Sequence, residues 1–233
     1  MKKIVVCNHK MFLTYDEAII FEKKLRDINT NNVELIICPS FINLNIFKNY
    51  NLGSQDAFYE DKGSYTSFVS SYMLSLMGVN YSILGHFEKR VYDTNEIINK
   101  KVKAAIRNSI IPILCIGENS VDKELRKSSE IIKRQLKECL KGVNKDDYII
   151  IAYEPGYVIG RDNSLSKNEI LDTFKYIRKV LEMCNISNYK LLYGGSINKD
   201  NIKNILSDDI DGYLIGASSV DINELENIIK SIK

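Results

Sequence analysis

The stretch Y-I-I-I-A-Y-E-P-G-Y-V-I-G, Tyr148 to Gly160, decides the fold. Its first half, Tyr148–Ala152, is apolar and rich in β-branched residues, with no alternation of polar and apolar positions. A run that short and that uniformly apolar predicts a strand buried on both faces, as in a parallel sheet. It then stops at a carboxylate, Glu154, followed by a proline and glycines. Outward from it, seven further runs have the same character: Ile4–Cys7, Val33–Cys38, Leu52–Ser54, Tyr81–Leu84, Ile111–Ile116, Lys190–Leu192 and Gly212–Ile215. Eight strands are therefore expected.

The intervening segments carry helical periodicity. Asp16 before EAIIFEKKL, Thr94 before NEIINKKVKAAI and Ser166 before KNEILDTFKYIRKVLEM each offer a side-chain oxygen to an unpaired N–H of a first helical turn. Ser128–Leu140 places Ile131, Ile132, Leu136 and Leu140 on one face. Strict alternation of strand and helix demands a parallel sheet with right-handed crossovers, either closed or open. An open dinucleotide-binding sheet would carry G-x-G-x-x-G after its first strand, and Cys7-Asn8-His9-Lys10 offers none. The reading is an α/β chain forming one closed (β/α)8 barrel as a single domain over residues 1–233.

With 32 basic and 30 acidic residues interspersed and a net charge of +2, the chain offers no nucleic-acid or membrane partner surface. The opening MKKIVVCNHKMF loses its apolar run after four residues and fails as a secretion signal. Five scattered cysteines (Cys7, Cys38, Cys115, Cys139, Cys184) without a CxxC pair read as reduced thiols of a cytoplasmic protein. Only two histidines occur, His9 and His86, so no histidine-rich metal centre is expected, and no cofactor is required.

Catalysis in such a barrel takes place where the strands end. The residues there are Asn8-His9-Lys10, Gly85-His86-Phe87-Glu88, Glu154 to Gly160, Tyr193-Gly194-Gly195-Ser196 and Gly216-Ala217-Ser218. A shielded carboxylate can take a proton from carbon beside a carbonyl. An imidazole can polarise that carbonyl and an ammonium can stabilise the charge that develops on oxygen. Glycine-rich turns after the last two strands present N–H groups to a phosphate.

These words resemble the triosephosphate isomerase family, over residues 3 to about 230. N-H-K (Asn8–Lys10) is similar to its N-W-K, and S-Q-D-A-F-Y-E-D-K-G-S-Y-T (Ser54–Thr66) to its third loop. I-L-G-H-F-E-K-R (Ile83–Arg90) resembles G-H-S-E-R-R, and P-I-L-C-I-G-E (Pro112–Glu118) the fifth strand. A-Y-E-P-G-Y-V-I-G (Ala152–Gly160) resembles A-Y-E-P-V-W-A-I-G, with L-Y-G-G-S (Leu192–Ser196) and D-G-Y-L-I-G-A-S (Asp211–Ser218) completing the order. The resemblance implies a cofactor-free isomerase of glycolysis and gluconeogenesis, interconverting dihydroxyacetone phosphate and D-glyceraldehyde 3-phosphate. It implies Glu154 as base, His86 as electrophile and Lys10 with Asn8 orienting the substrate. It implies Gly160, Ser196, Gly216 and Ala217 as phosphate-binding positions. Pro155, Gly156, Tyr157, Val158, Ile159 and Gly160, running on to about Asn163, correspond to a mobile lid. Tyr65 and Thr66 correspond to the tip of a loop that enters a partner subunit, implying a homodimer.

The chain departs from the pattern at His9, Phe87, Gly156-Tyr157, Arg161-Asp162 and Ala217. Phe87, having no hydroxyl, is expected to alter the resting place of Glu154. Gly156 is expected to loosen the lid hinge. Glu88 reads as a salt-bridge partner of Lys10 or Arg90, or as a proton relay. Arg90 and Glu118 read as structural and Cys115 as a packed core thiol. His9 reads as packing or as a hydrogen-bond prop. Two other functions fit the same residues: isomerisation of a ketose phosphate one carbon longer, and binding of a sugar phosphate without catalysis.

Overall fold

The computed structural model describes residues 2–160 and 164–232. Eight parallel strands close into a barrel in chain order. The strands are β1 (Lys3–Asn8), β2 (Val33–Cys38), β3 (Asn51–Ser54), β4 (Tyr81–Leu84), β5 (Ile111–Ile116), β6 (Ile149–Tyr153), β7 (Tyr189–Tyr193) and β8 (Gly212–Ile215). The helices around them are α1 (Tyr15–Leu25), α2 (Ser71–Leu76), α3 (Asn95–Arg107), α4 (Ser120–Glu124), α5 (Ser128–Cys139), α6 (Lys167–Met183), α7 (Ile202–Ile205) and α8 (Ile222–Ser231). A 3₁₀ helix, Phe41–Phe47, takes the place of an α-helix between β2 and β3.

Closure rests on β1, which pairs with β2 on one side (Val6 opposite Ile36) and β8 on the other (Val6 opposite Leu214). Gly212 permits it. A Cβ there would stand 2.7 Å from the backbone nitrogen of Ile4, closer than atoms can approach.

Side chains alternate between two cores, as strand geometry requires. Ile4, Val6, Ile36, Ile83, Ile113, Ile150, Leu192 and Leu214 fill the barrel interior. The residues between them, such as Val5, Ile37, Leu84, Leu114, Ile151 and Leu191, pack outward against the helices. The inward set continues to Asn8, the last residue of β1, and to Glu154, one residue beyond β6, so the same parity that packs the barrel points both at its mouth.

Thr94 and Ser166 cap α3 and α6 through their side chains, as their positions predict. At α1 the cap is Thr14 and not Asp16. Thr14 accepts from Glu17 N–H while the Glu17 carboxylate accepts from Thr14 N–H at 2.9 Å, a reciprocal pair that Asp16 has no partner to form. Behind the mouth, the buried Lys101 ammonium of α3 bonds Asp56 at 2.9 Å and Asp93 at 2.6 Å, tying the loop after β3 to that after β4. No helix among the described residues is long and apolar enough to cross a membrane.

Candidate active site

Glu154 stands one residue beyond β6, its N–H donating to the Ile116 carbonyl at 2.7 Å and the Tyr153 carbonyl accepting from Gly194 at 2.9 Å. The backbone is thus held from both neighbouring strands where the side chain enters the mouth. The carboxylate is buried, and its Oε2 accepts from the backbone N–H of Phe87 at 3.3 Å. The Phe87 ring itself offers this carboxylate no hydrogen bond, as its lack of a hydroxyl requires. The main chain supplies the bond and the side chain is free for another task. Burial, followed by the charge of Glu154, pushes the Cys115 thiol below it well above the ordinary range.

His86 is also buried, at 5% exposure. Its Nδ1 accepts from Glu88 N–H at 3.3 Å. An accepting ring nitrogen carries no proton, so the hydrogen sits on Nε2, which faces Glu154 Oε1 at 3.3 Å. That Oε1 makes no hydrogen bond among the described residues. Two groups with complementary proton-transfer abilities thus face one another through Nε2 and Oε1.

Lys10 holds a left-handed backbone, φ 48°, which costs a non-glycine residue about 1–2 kcal/mol. Asn8 Oδ1 accepts from its N–H at 3.2 Å and Gln55 donates to its carbonyl at 2.8 Å, and these bonds sustain the turn. The Lys10 ammonium pairs with Glu88 at 2.7 Å, while Arg90 is committed to Asn95 and the Cys115 carbonyl. Of the structural readings for Glu88, the Lys10 pair is the one present. Gln55 was not singled out by the sequence; the two hydrogen bonds its Nε2 donates to the Lys10 and Cys38 carbonyls are visible only in three dimensions.

Gly216 lies against the end of Lys10: a Cβ on it would meet Lys10 Cε at 3.4 Å. Ala217 begins a one-turn 3₁₀ helix (Ala217–Ser219) directly after Gly216, whose carbonyl accepts from Ser219 N–H at 2.8 Å. Ser196 follows β7, its carbonyl accepting from Asn201 at 2.8 Å. Asn8, Lys10, His86, Glu154, Ser196, Gly216 and Ala217 therefore share one end of the barrel. Gly160, the last residue of the described stretch 2–160, is exposed, with φ 73°. Tyr65 and Thr66 lie exposed on the loop between β3 and α2.

Residues 156–160 form a run of turns in which Val158 lies against Gly195. The Lys123 ammonium of α4 sits 5.3 Å from the centre of the Tyr157 ring. Arg161 and Asp162 lie outside the described residues. Glu118 Oε2, Tyr157 OH and Glu154 Oε1 are all buried without a hydrogen bond among the described residues.

A closed parallel barrel with a carboxylate, an imidazole and an ammonium at the carboxyl ends of its strands belongs to the β/α-barrel enzymes. The triosephosphate isomerase family model matches residues 3–232. Triosephosphate isomerases of Dictyoglomus thermophilum and Thermodesulfovibrio yellowstonii are 36% and 37% identical to the chain, over 99% and 98% of it and 99% of each relative. That of Thermoanaerobacter pseudethanolicus is 34% identical over 98% of both. The chain belongs to the triosephosphate isomerase family.

Proposed function

We propose that this chain interconverts dihydroxyacetone phosphate and D-glyceraldehyde 3-phosphate in glycolysis and gluconeogenesis, through a cis-enediol(ate). Glu154 takes the proton from carbon through Oε1, the oxygen that faces His86. His86, with its hydrogen on Nε2, polarises the carbonyl and passes protons between the two substrate oxygens. Lys10 leaves Glu88 for the substrate oxygens, a change that costs little because Glu88 is half exposed. Asn8 holds the Lys10 turn and lines the mouth. Ser196, Gly216 and Ala217 receive the phosphate on backbone N–H groups, and Gly160 joins them when the lid from Pro155 onward closes and excludes water. The observation that carries this reading is the facing of His86 Nε2 and Glu154 Oε1 at 3.3 Å with Nδ1 already capped.

The chain acts in this reading as a homodimer. Tyr65 and Phe68 stand exposed over Phe58, the Phe58–Phe68 rings stacked at 4.2 Å. Met11, Phe12, Val91 and Tyr92 are exposed on the neighbouring loops. Five free cysteines support a reducing, cytoplasmic location.

A coupled assay on purified protein tests the proposal. Turnover of glyceraldehyde 3-phosphate that collapses in Glu154→Gln supports it. Activity confined to a four-carbon ketose phosphate, or phosphate binding without turnover, would overturn it. Sedimentation at micromolar concentration tests the dimer.

A further inference from the structure

Gly156 is not explained by its own backbone. Its φ lies outside the left-handed region, so an L side chain would meet no conformational penalty there. What excludes a side chain is Phe87. A Cβ on Gly156 would fall 2.6 Å from Phe87 Cδ2, 2.8 Å from Cζ and nearer still to Cε2. The phenyl ring occupies the place that a side chain at residue 156 would take.

Two tethers therefore join the loop after β4 to the loop after β6. One is the hydrogen bond from Phe87 N–H to Glu154 Oε2, at 3.3 Å already long. The other is the ring of the same residue seated on the Cα of Gly156, two positions beyond Glu154. Gly156 is held from a third side by its N–H bond to the Glu118 carbonyl at 2.8 Å. The ring that fills the notch at Gly156 and the N–H that holds Glu154 belong to one residue, so a side chain at 156 that displaces the ring also bears on that bond. We propose that Phe87 and Gly156 act as a matched pair, ring and notch, that positions Glu154 and sets the leading hinge of the lid. Phe87 is thereby a positioning residue in the reaction, and glycine at 156 is required by that ring and not by lid flexibility. The inference rests on the reading of Glu154 as the base.

The test is a four-member cycle: wild type, Gly156→Ala, Phe87→Ala and the double variant, each with Tm recorded. Displacing a reacting group by about 1 Å costs on the order of 10²-fold. Gly156→Ala alone is expected to lower kcat/KM by about that factor, mostly through kcat, whereas the same change in the Phe87→Ala background costs less than about threefold. Equal losses in the two backgrounds would overturn the pairing, as would a loss carried by KM alone or one that merely follows Tm. Hydrogen exchange at the Phe87 amide reads the pair without substrate. Gly156→Ala should accelerate that exchange only when the ring is present, and an unchanged rate contradicts the proposal. Should wild type itself not turn over triose phosphates, the functional reading fails while exchange still decides the pairing.

Discussion

The two histidines of this chain are almost equally buried, His9 at 2% and His86 at 5% exposure, and differ in everything else. His9, just past β1, lies edge-on between Phe21 and Phe47, with ring centres 5.2 and 5.3 Å away. Neither of its nitrogens has a hydrogen-bond partner among the described residues. His86, just past β4, has an N–H on one nitrogen and a carboxylate facing the other. Burial alone therefore marks neither packing nor chemistry. The difference lies in what faces the ring: apolar edges at the first site, oriented proton donors and acceptors at the second. Among the described residues His9 packs between the two phenyl rings and makes no hydrogen bond by which it could prop a neighbour.

The comparison breaks most sharply at His86. His86→Gln keeps a polar side chain but loses the imidazole, and should lower kcat by about 10³-fold with a Tm near wild type. A loss below tenfold, read in the coupled assay, would put His86 in the same class as His9.

His9 supplies the next effect, and in stability instead of rate. Burial lowers its pKa from 6.5 to about 4, so the folded protein keeps the ring neutral where the unfolded chain would protonate it. The stability that this ring permits is complete above pH 6.5 and is lost as pH falls from 6.5 towards 4. Between pH 7 and pH 5 that loss amounts to about 2 kcal/mol. In His9→Phe this component should vanish, and at pH 7 the variant should be more stable by about 1–2 kcal/mol because two unpaired nitrogens are gone. Urea unfolding at both pH values checks this; equal acid sensitivity of variant and wild type would show that the ring titrates freely.

The smallest effect belongs to Glu88, whose N–H caps His86 and whose carboxylate holds Lys10. Glu88→Gln keeps the cap and loses only a half-exposed ion pair, so stability should change by less than about 1 kcal/mol and kcat/KM only a few-fold. A fall of a hundredfold would mean that the carboxylate takes part in proton transfer.

The barrel was legible because strands buried on both faces leave uninterrupted apolar runs, and Tyr148–Ala152 is a clear example. The place of Glu154 and His86 at the mouth was legible because strand ends fix where chemistry can sit; the roles proposed for them rest on the family words. Contacts across the mouth were not. Phe87 read as altering the resting place of Glu154 and Gly156 as loosening the hinge, two separate departures; in the structure one fills the space the other vacates, and periodicity carries no trace of such a pairing. The Asp56–Lys101–Asp93 cluster was missed for the same reason, since three charges on separate loops look like solvated surface. Thr14 displaced Asp16 as the cap because the reciprocal partner Glu17 sits three residues on from threonine, a spacing the sequence does contain.

The central claim is that Glu154 removes a proton from carbon opposite His86. Proton NMR of dihydroxyacetone phosphate in D₂O tests it directly, because deuterium entering the carbon skeleton reports the abstraction itself, independent of lid opening or product release. The account predicts enzyme-dependent deuterium incorporation alongside isomerisation in wild type, both reduced at least about 10³-fold in Glu154→Gln, with phosphate binding retained. Incorporation and isomerisation at undiminished rates in Glu154→Gln would contradict it.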